Sequence, residues 1–199
     1  GIMTSNHDDV QRVRDSMEGT EKVVLYTIGS NNIPIHNLVN LQKVIFLSSR
    51  SLPDILGGSF NFEAHKKGPY CSDIDETVLD LSSSGLLDSK DLTLSDRGEC
   101  IYKAVEEGIR EPLKSTIDYW KEFQDGLTED ELLTFVYSTY PETVRNSEVI
   151  DRIRRNFRKN TISLVTKNKI SVGKGSEMLG IGYVKFEELL KKEGVRWKS

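Results

Sequence analysis

The C-terminal quarter of the chain carries a concentration of positive charge that could bind an anion. Between Arg152 and Ser199, thirteen Lys and Arg residues stand against four Glu residues, which gives this segment a net charge of +9. Residues 1–151 carry fourteen basic and twenty-seven acidic residues, a net charge of −13, so the total of −4 hides a strong asymmetry. Each Lys or Arg can neutralise a phosphate, and such a segment is typical of nucleic-acid-binding proteins. We therefore expect an anionic partner for it.

The same segment contains the residue pattern of two short helices joined by a tight turn. Ser171 is a helix-capping residue, and the small residues Gly175 and Ser176 would let a second helix cross the first closely. Gly180 can adopt the left-handed conformation that ends a helix, and Ile181 would fill the turn. This order of a small residue, a glycine turn and an apolar anchor predicts a helix-turn-helix.

The second helix of this pair is predicted at residues 183–192, and its inward-facing residues are Phe186, Leu189 and Leu190. If its N-terminal end enters a DNA major groove, the residues that reach base edges are Gly182, Tyr183 and Lys185. The residues predicted to contact phosphates are Ser171, Lys174, Arg154, Arg155, Arg158 and Lys159. Glu187 and Glu188 oppose complete burial in a groove unless they point away from it. A protein-binding surface and simple packing are the alternatives for this helix pair.

Residues 3–110 are predicted to form a winged-helix-like domain with a small β-hairpin. The predicted elements are a helix at 36–48, a strand at 59–63, a helix from Ser72 to about Gly85, a hairpin at 86–94 and a helix from Ser95 to about Arg110. The helical spacing of apolar residues, and their alternation in the strand, support these assignments. Helices followed by a hairpin and a further helix are typical of the winged helix, in which a two-stranded wing packs beside three helices.

The rest of the chain is predicted to divide into a helical connector at residues 111–146 and a C-terminal region at 147–199. Thr128 and Glu131 have the spacing of a capping box that opens a helix. The C-terminal region is expected to begin with one long basic helix at 147–167, broken near Asn160, and to continue into the helix-turn-helix. The fold as a whole is predicted to be mostly α.

The sequence offers no catalytic or metal-binding pattern. It lacks GxSxG, HExxH and GxGxxG, and Gly173-Lys174 lacks the further glycine and the Ser or Thr of a phosphate-binding loop. Cys71 and Cys100 are isolated thiols, and the three histidines are too scattered for a zinc site. We expect neither an enzyme nor a bound cofactor or metal. No apolar run could span a bilayer or act as a signal core, so we also expect a cytoplasmic protein without a membrane partner.

The C-terminal region resembles a known family. Ile170–Lys174, Glu177–Ile181 and Phe186–Leu190, followed by Gly194-Val195, are similar to a motif of small prokaryotic antitoxin-like proteins. The resemblance implies a DNA-binding helix-turn-helix, which in that family is sometimes encoded beside a toxin. Gly175-Ser176 stands where the family has paired alanines, and this lowers the helix propensity of the first helix.

The N-terminal part, about residues 21–104, resembles the phage-associated, Panacea-type antitoxin domains. The matching segments are Leu41–Leu47, Gly68–Tyr70, Leu86-Leu87 and Leu92–Gly98. The segment Glu131–Tyr137, followed by Tyr140-Pro141, resembles segments that follow such domains. Neither family implies an enzymatic activity for this chain.

These features predict a prokaryotic transcriptional regulator or antitoxin-type protein that reads operator-like double-stranded DNA without a cofactor. The alternative is an adaptor whose acidic N-terminal domain binds a partner protein such as a toxin, while the basic tail pairs with that partner or with a neighbouring copy. A homodimer is expected on the first interpretation, because helix-turn-helix proteins commonly bind two-fold symmetric sites.

Overall fold

A computed structural model describes residues 7–88 and 91–197. The protein is mostly helical, as predicted, at 67% of residues, and has one small antiparallel sheet of two strands. The helices are α1 (His7–Ser16), α2 (Gly19–Gly29), α3 (Leu38–Ser51), α4 (Pro53–Leu56), α5 (Ser72–Ser83), α6 (Asp96–Glu106), α7 (Leu113–Gln124), α8 (Glu129–Thr139), α9 (Ile150–Arg155), α10 (Phe157–Thr166), α11 (Val172–Leu179) and α12 (Tyr183–Lys192). The strands are β1 (Glu63–His65) and β2 (Gly68–Tyr70), and 3-10 turns lie at Ser30–Asn32 and Pro141–Val144.

The contacts between residues divide the chain into two compact units. Unit 1 comprises residues 1–63 and 69–125, and unit 2 comprises residues 64–68 and 126–199. The predicted connector does not appear as a separate body in this division. Helix α7 packs on α3 in unit 1, whereas α8 packs on α10 in unit 2. A periodic apolar stripe shows that a helix has a buried face, but it does not show which core receives that face.

Helix α2 lies at the centre of unit 1. All six of its residues from Val23 to Ile28 are buried. Four other helices pack against it: α3, α5, α6 and α7. A helix that is apolar on all sides must be surrounded by protein, and this requirement explains the central position of α2.

The hairpin of unit 1 differs from the predicted wing. Two paired strands were expected within the segment 86–94. Among the described residues of this segment, a single antiparallel bridge joins Leu87 to Leu94. Part of the predicted turn, residues 89–90, lies outside the described residues. The predicted strand at 59–63 is also wrong, because the extended segment begins at Glu63 and pairs with β2. Two backbone hydrogen bonds flank the bridge, from the Asp88 N–H to the Thr93 carbonyl at 2.9 Å and from the Ser95 N–H to the Leu86 carbonyl at 3.0 Å, and both bridge leucines are buried in the core.

Helix α5 begins without the predicted serine cap. Ser72 is the first helical residue, and the cap position belongs to Cys71, which makes no capping side-chain hydrogen bond. The buried Gln42 of α3 instead holds the residue before the helix: its Oε1 accepts the Cys71 N–H at 2.8 Å, and its Nε2 donates to the Cys71 carbonyl at 2.8 Å. A partner twenty-nine residues away in the chain therefore fixes the start of α5.

Two other predicted helix caps, at Ser95 and at Thr128, are confirmed. Ser95 Oγ accepts the Gly98 N–H at 3.0 Å and begins α6, which ends at Glu106, before the predicted Arg110. Thr128 and Glu131 form both hydrogen bonds of a capping box, at 3.1 Å and 2.8 Å. These interactions span three residues, so the sequence spacing is sufficient to predict them.

Lys121 is a completely buried cation in unit 1. Its Nζ donates to the carbonyl of Ile28 at 2.9 Å and also to that of Ser30. Both carbonyls lie at the C-terminal end of α2, where the helix dipole favours positive charge. Burial lowers the pKa of Lys121 to about 7, and the carboxylates of Asp118 and Glu99 act in the opposite direction.

We expect the free energy of unfolding of unit 1 to rise between about pH 7 and pH 9. Unfolded Lys121 keeps its proton up to the ordinary pKa of 10.5, whereas the folded side chain begins to lose it near pH 7. The unfolded state then binds more protons, so stability rises with pH by at most about 1.4 kcal/mol per unit. Urea unfolding across this range, followed by Trp120 fluorescence in a Trp197→Phe background, measures the slope. Lys121→Met should abolish it, and an unchanged slope in that variant would contradict the assignment.

Candidate nucleic-acid interface

Helices α10, α11 and α12 share one hydrophobic core in unit 2. Its buried members are Val165, Val172, Phe186 and Leu190. Phe186 and Leu190 are completely buried, whereas Leu189, predicted to face inward as well, is half-buried. The α11–α12 pair is therefore supported by α10, and the three helices form one packed group.

The local geometry of the α11–α12 pair matches the predictions made for it. Ser171 Oγ caps α11 by accepting the Lys174 N–H at 3.0 Å. Gly180 has the left-handed conformation, with φ of 66°, at the end of the helix. The turn then closes with a hydrogen bond of 3.1 Å from the Ile181 N–H to the Ser176 carbonyl.

Gly175 lets the Phe186 ring of α12 pack directly against the backbone of α11. A Cβ atom at this position would lie 2.7 Å from the ring of Phe186 and 3.0 Å from Val165. Real Cβ atoms essentially never approach a neighbour as closely as 2.7 Å, so the absence of a side chain at Gly175 is what lets the Phe186 ring lie there. The predicted reason for a small residue here is confirmed.

The side of α12 opposite its buried residues faces solvent at its N-terminal end. Gly182 precedes the helix and is exposed, and so is Lys185. Tyr183 is 48% exposed and Val184 is 67% exposed, which are large values for side chains of this kind. Water-exposed apolar side chains at the start of a helix can contact the apolar parts of a ligand.

A predicted phosphate contact in the first turn of α11, Lys174, is already engaged within the protein. The Lys174 ammonium lies 5.7 Å from the centre of the Phe135 ring and 3.9 Å from a carboxylate oxygen of Glu177. The exposed Ser171 hydroxyl accepts the capping hydrogen bond of α11, which leaves its O–H able to donate to a phosphate. Lys174 is half-buried in this position, so its ammonium is less accessible than the sequence pattern indicates.

The long basic helix predicted at residues 147–167 is two helices. The break lies at Asn156, with φ of −104° and ψ of 13°, between α9 and α10. The Asn156 side chain donates to the Arg152 carbonyl at 3.1 Å, and the same carbonyl accepts the Asn156 backbone N–H at 3.2 Å. The expected break near Asn160 is wrong, because Asn160 lies within α10 and donates to Thr134 Oγ1 at 3.0 Å.

An ion pair places the predicted Arg158 contact at the far end of α12. Arg158, near the start of α10, lies 3.6 Å from Glu193, the residue after α12. At a rise of about 1.5 Å per residue, this is about 15 Å along the helix from Tyr183. The predicted residues therefore form two groups: one at the start of α12, and one on α10 that comprises Arg158, beside the end of α12, and Lys159, the next residue in the chain. Arg154 and Arg155 lie in the last turn of α9, which leads into α10.

Several exposed cations between Arg152 and Arg196 lack an acidic partner among the described residues. Arg152 forms two hydrogen bonds of 2.8 Å with Asp130, but several others make no ion pair in the part of the chain that the structure describes. These cations are Arg154, Arg155, Lys159, Lys185, Lys191, Lys192 and Arg196. The last three were not among the site residues predicted from the sequence. Lys191 lies seven positions after Val184, so the two residues share one helix face.

A buried carboxylate holds α8 against α10. Glu131 accepts hydrogen bonds from Lys167 Nζ at 2.7 Å and from Ser163 Oγ. Burial raises the pKa of Glu131, but the hydrogen bonds from Lys167, Ser163 and the Thr128 backbone outweigh it, and the pKa is lowered. The ionised carboxylate therefore links α8 to α10, the helix on which the α11–α12 pair packs.

The described residues contain neither a candidate metal site nor a helix that could cross a membrane. Across residues 7–88 and 91–197 there is no group of three or more His, Cys, Asp or Glu that could hold a metal ion. No helix in the described ranges combines the length and the apolar character needed to cross a bilayer. The chain matches no protein-family model, and no curated protein or solved structure is significantly similar to it.

Proposed function

We propose that unit 2 binds double-stranded DNA as a helix-turn-helix, with α11 and α12 as the pair and α12 in the major groove. The protein would then be a prokaryotic transcriptional regulator or antitoxin-type protein that acts without catalysis or a cofactor. The observation that supports this best is the exposed start of α12, which carries Tyr183, Val184 and the unpaired Lys185 and follows the tight turn at Gly180. Unit 1 is, in the same proposal, a winged-helix-like domain whose wing is reduced to the Leu87–Leu94 bridge.

Charge supports a polyanion as the ligand of unit 2. Unit 2 carries sixteen basic and ten acidic residues, a net charge of +6, whereas unit 1 carries eleven and twenty-one, a net charge of −10. Charge of one sign on one unit directs association with a partner of the opposite sign. Phosphate groups of DNA provide such a partner along a regular surface.

The separation of the two basic groups suits the dimensions of the major groove. The groove is about 12 Å wide, with a phosphate strand on each side. Lys185 lies near the start of α12, and Arg158 lies beside Glu193, which is eight positions further along and therefore about 12 Å away. In the proposed complex, the two groups therefore contact the two opposite strands and fix the position of α12 between them.

Titration of the full chain with double-stranded DNA of random sequence tests the proposal. We expect binding at about 50 mM salt that weakens roughly a hundredfold at about 200 mM, as for four phosphate contacts. The triple variant R155E/K159E/K185E should bind at least about tenfold more weakly and with a smaller salt dependence. The matched control is R12E/K103E/R110E, which changes the charge equally at exposed positions of unit 1.

Two results would contradict DNA binding by unit 2. One is the absence of binding at the lower salt concentration, measured by fluorescence anisotropy of labelled DNA. The other is an equal loss of affinity in both triple variants, because the location of the charges would then have no effect.

A second candidate function is supported by the exposed face of α5. Leu79 is 67% exposed on this helix, and exposed carboxylates surround it at Asp73, Glu76 and Asp80. An apolar side chain within an acidic face fits a basic protein partner such as a toxin, as in the adaptor interpretation. This interpretation predicts a stoichiometric protein complex that Leu79→Lys disrupts, together with no change in the mobility of DNA.

A further inference from the structure

The outward face of α12 carries a row of three exposed residues. Val184, Glu188 and Lys191 follow one another at intervals of four and three positions, so they share one side of the helix. This side lies opposite the buried Phe186 and Leu190. All three residues of the row are exposed.

Glu188 is the unexpected member of this row. A carboxylate that faces phosphates is repelled by them, so it lowers affinity for DNA of any sequence. It makes no hydrogen bond or ion pair in the described part of the chain, whereas Glu193 pairs with Arg158. Glu187 differs again, because it is half-buried on the flank of the helix.

The major groove contains a group that matches a carboxylate acceptor. Cytosine presents its N4 amino group as a hydrogen-bond donor there, and Glu or Asp can accept from it. An apolar side chain instead contacts the methyl group of thymine. In the row, the Glu188 carboxylate therefore matches the cytosine amino group, and the Val184 side chain matches the thymine methyl group.

We propose that Glu188 selects cytosine and that Val184 selects thymine in the DNA bound by α12. The inference rests on the proposed function, because it requires α12 to lie in the major groove. Four residues of helix rise about 6 Å, and base pairs are stacked about 3.4 Å apart, so the two selected positions lie about two base pairs from each other. In sequences that lack cytosine at this position, nothing offsets the repulsion between the Glu188 carboxylate and the phosphates, so binding is weaker.

The test is selection of bound duplexes from a random double-stranded library by the full chain, followed by sequencing. The wild type should enrich a motif with cytosine at one position and thymine about two base pairs away. Glu188→Gln should lose about tenfold preference for cytosine at that position, because the amide presents both a donor and an acceptor. Val184→Ala should weaken only the thymine preference. Glu187→Gln, which removes the same charge from the flank of the helix, should leave the motif unchanged.

The results separate this inference from the proposed function. If salt-dependent DNA binding is present but the motif is the same in wild type, Glu188→Gln and Val184→Ala, base selection by this row is overturned while DNA binding stands. Enrichment of no motif by the wild type overturns it in the same way. If no duplex is retained at about 50 mM salt, the proposed function itself fails. Loss of cytosine preference in Glu187→Gln to the same degree as in Glu188→Gln also overturns the assignment.

Discussion

Phe186→Ala is expected to lower the free energy of unfolding of unit 2 by about 3–5 kcal/mol. The ring is completely buried in the core shared by α10, α11 and α12. It lies against Gly175, and a glycine has no side chain that could move into the space left by the ring. The cavity would therefore persist, and persistent cavities give the larger losses among such substitutions.

Urea unfolding followed by Trp197 fluorescence in a Trp120→Phe background measures this loss. Trp197 packs at the edge of the same core, so its fluorescence reports on unit 2. Tyr183→Ala is the control on the same helix, because its side chain is 48% exposed and should cost less than about 1 kcal/mol. Equal losses in the two variants would show that Phe186 does not support the α11–α12 pair.

Gly98→Ala is expected to destabilise unit 1 by about 3 kcal/mol, a large effect for a single methyl group. A Cβ atom at this position would lie 2.0 Å from the carbonyl oxygen of Leu86. That oxygen belongs to the backbone and accepts the Ser95 N–H at 3.0 Å, so it cannot move without breaking the entry into α6. The steric cost outweighs the better helix propensity of Ala, which is about 1 kcal/mol.

Gly19→Ala provides the matched control within unit 1. Gly19 is the first residue of α2, and a Cβ atom there would meet nothing within 4 Å. We expect this variant to be as stable as the wild type or slightly more stable. The measurement is urea unfolding followed by Trp120 fluorescence in the Trp197→Phe background, and a loss below about 1 kcal/mol in Gly98→Ala would contradict the prediction.

The features that sequence analysis predicted correctly depend on residues close together in the chain. The caps at Ser95, Thr128 and Ser171 involve side chains and backbone groups three positions apart. The left-handed Gly180 ends α11 because glycine adopts positive φ without steric cost. Such interactions form within one helical turn, so residue type and spacing are sufficient to predict them.

The features that it missed depend on groups brought together by folding. Gln42 holds Cys71 at the start of α5, where a Ser72 cap was expected, and Asn160 stays within a helix where it meets Thr134 on α8. The ion pair between Arg158 and Glu193 joins residues thirty-five positions apart. Spacing in the sequence carries no information about such partners, because they depend on which helix faces pack together.

The concentration of positive charge after Arg152 is a property of the sequence alone, as are the glycine and serine positions that define the α11–α12 pair. The tertiary structure decided how that charge is distributed. It engages Arg152 and Lys174 within the protein, places Arg158 beside the end of α12, and leaves the start of that helix exposed. The physical reason is that a side chain's availability to a ligand depends on its neighbours in space, and packing of α8 and α10 supplies those neighbours.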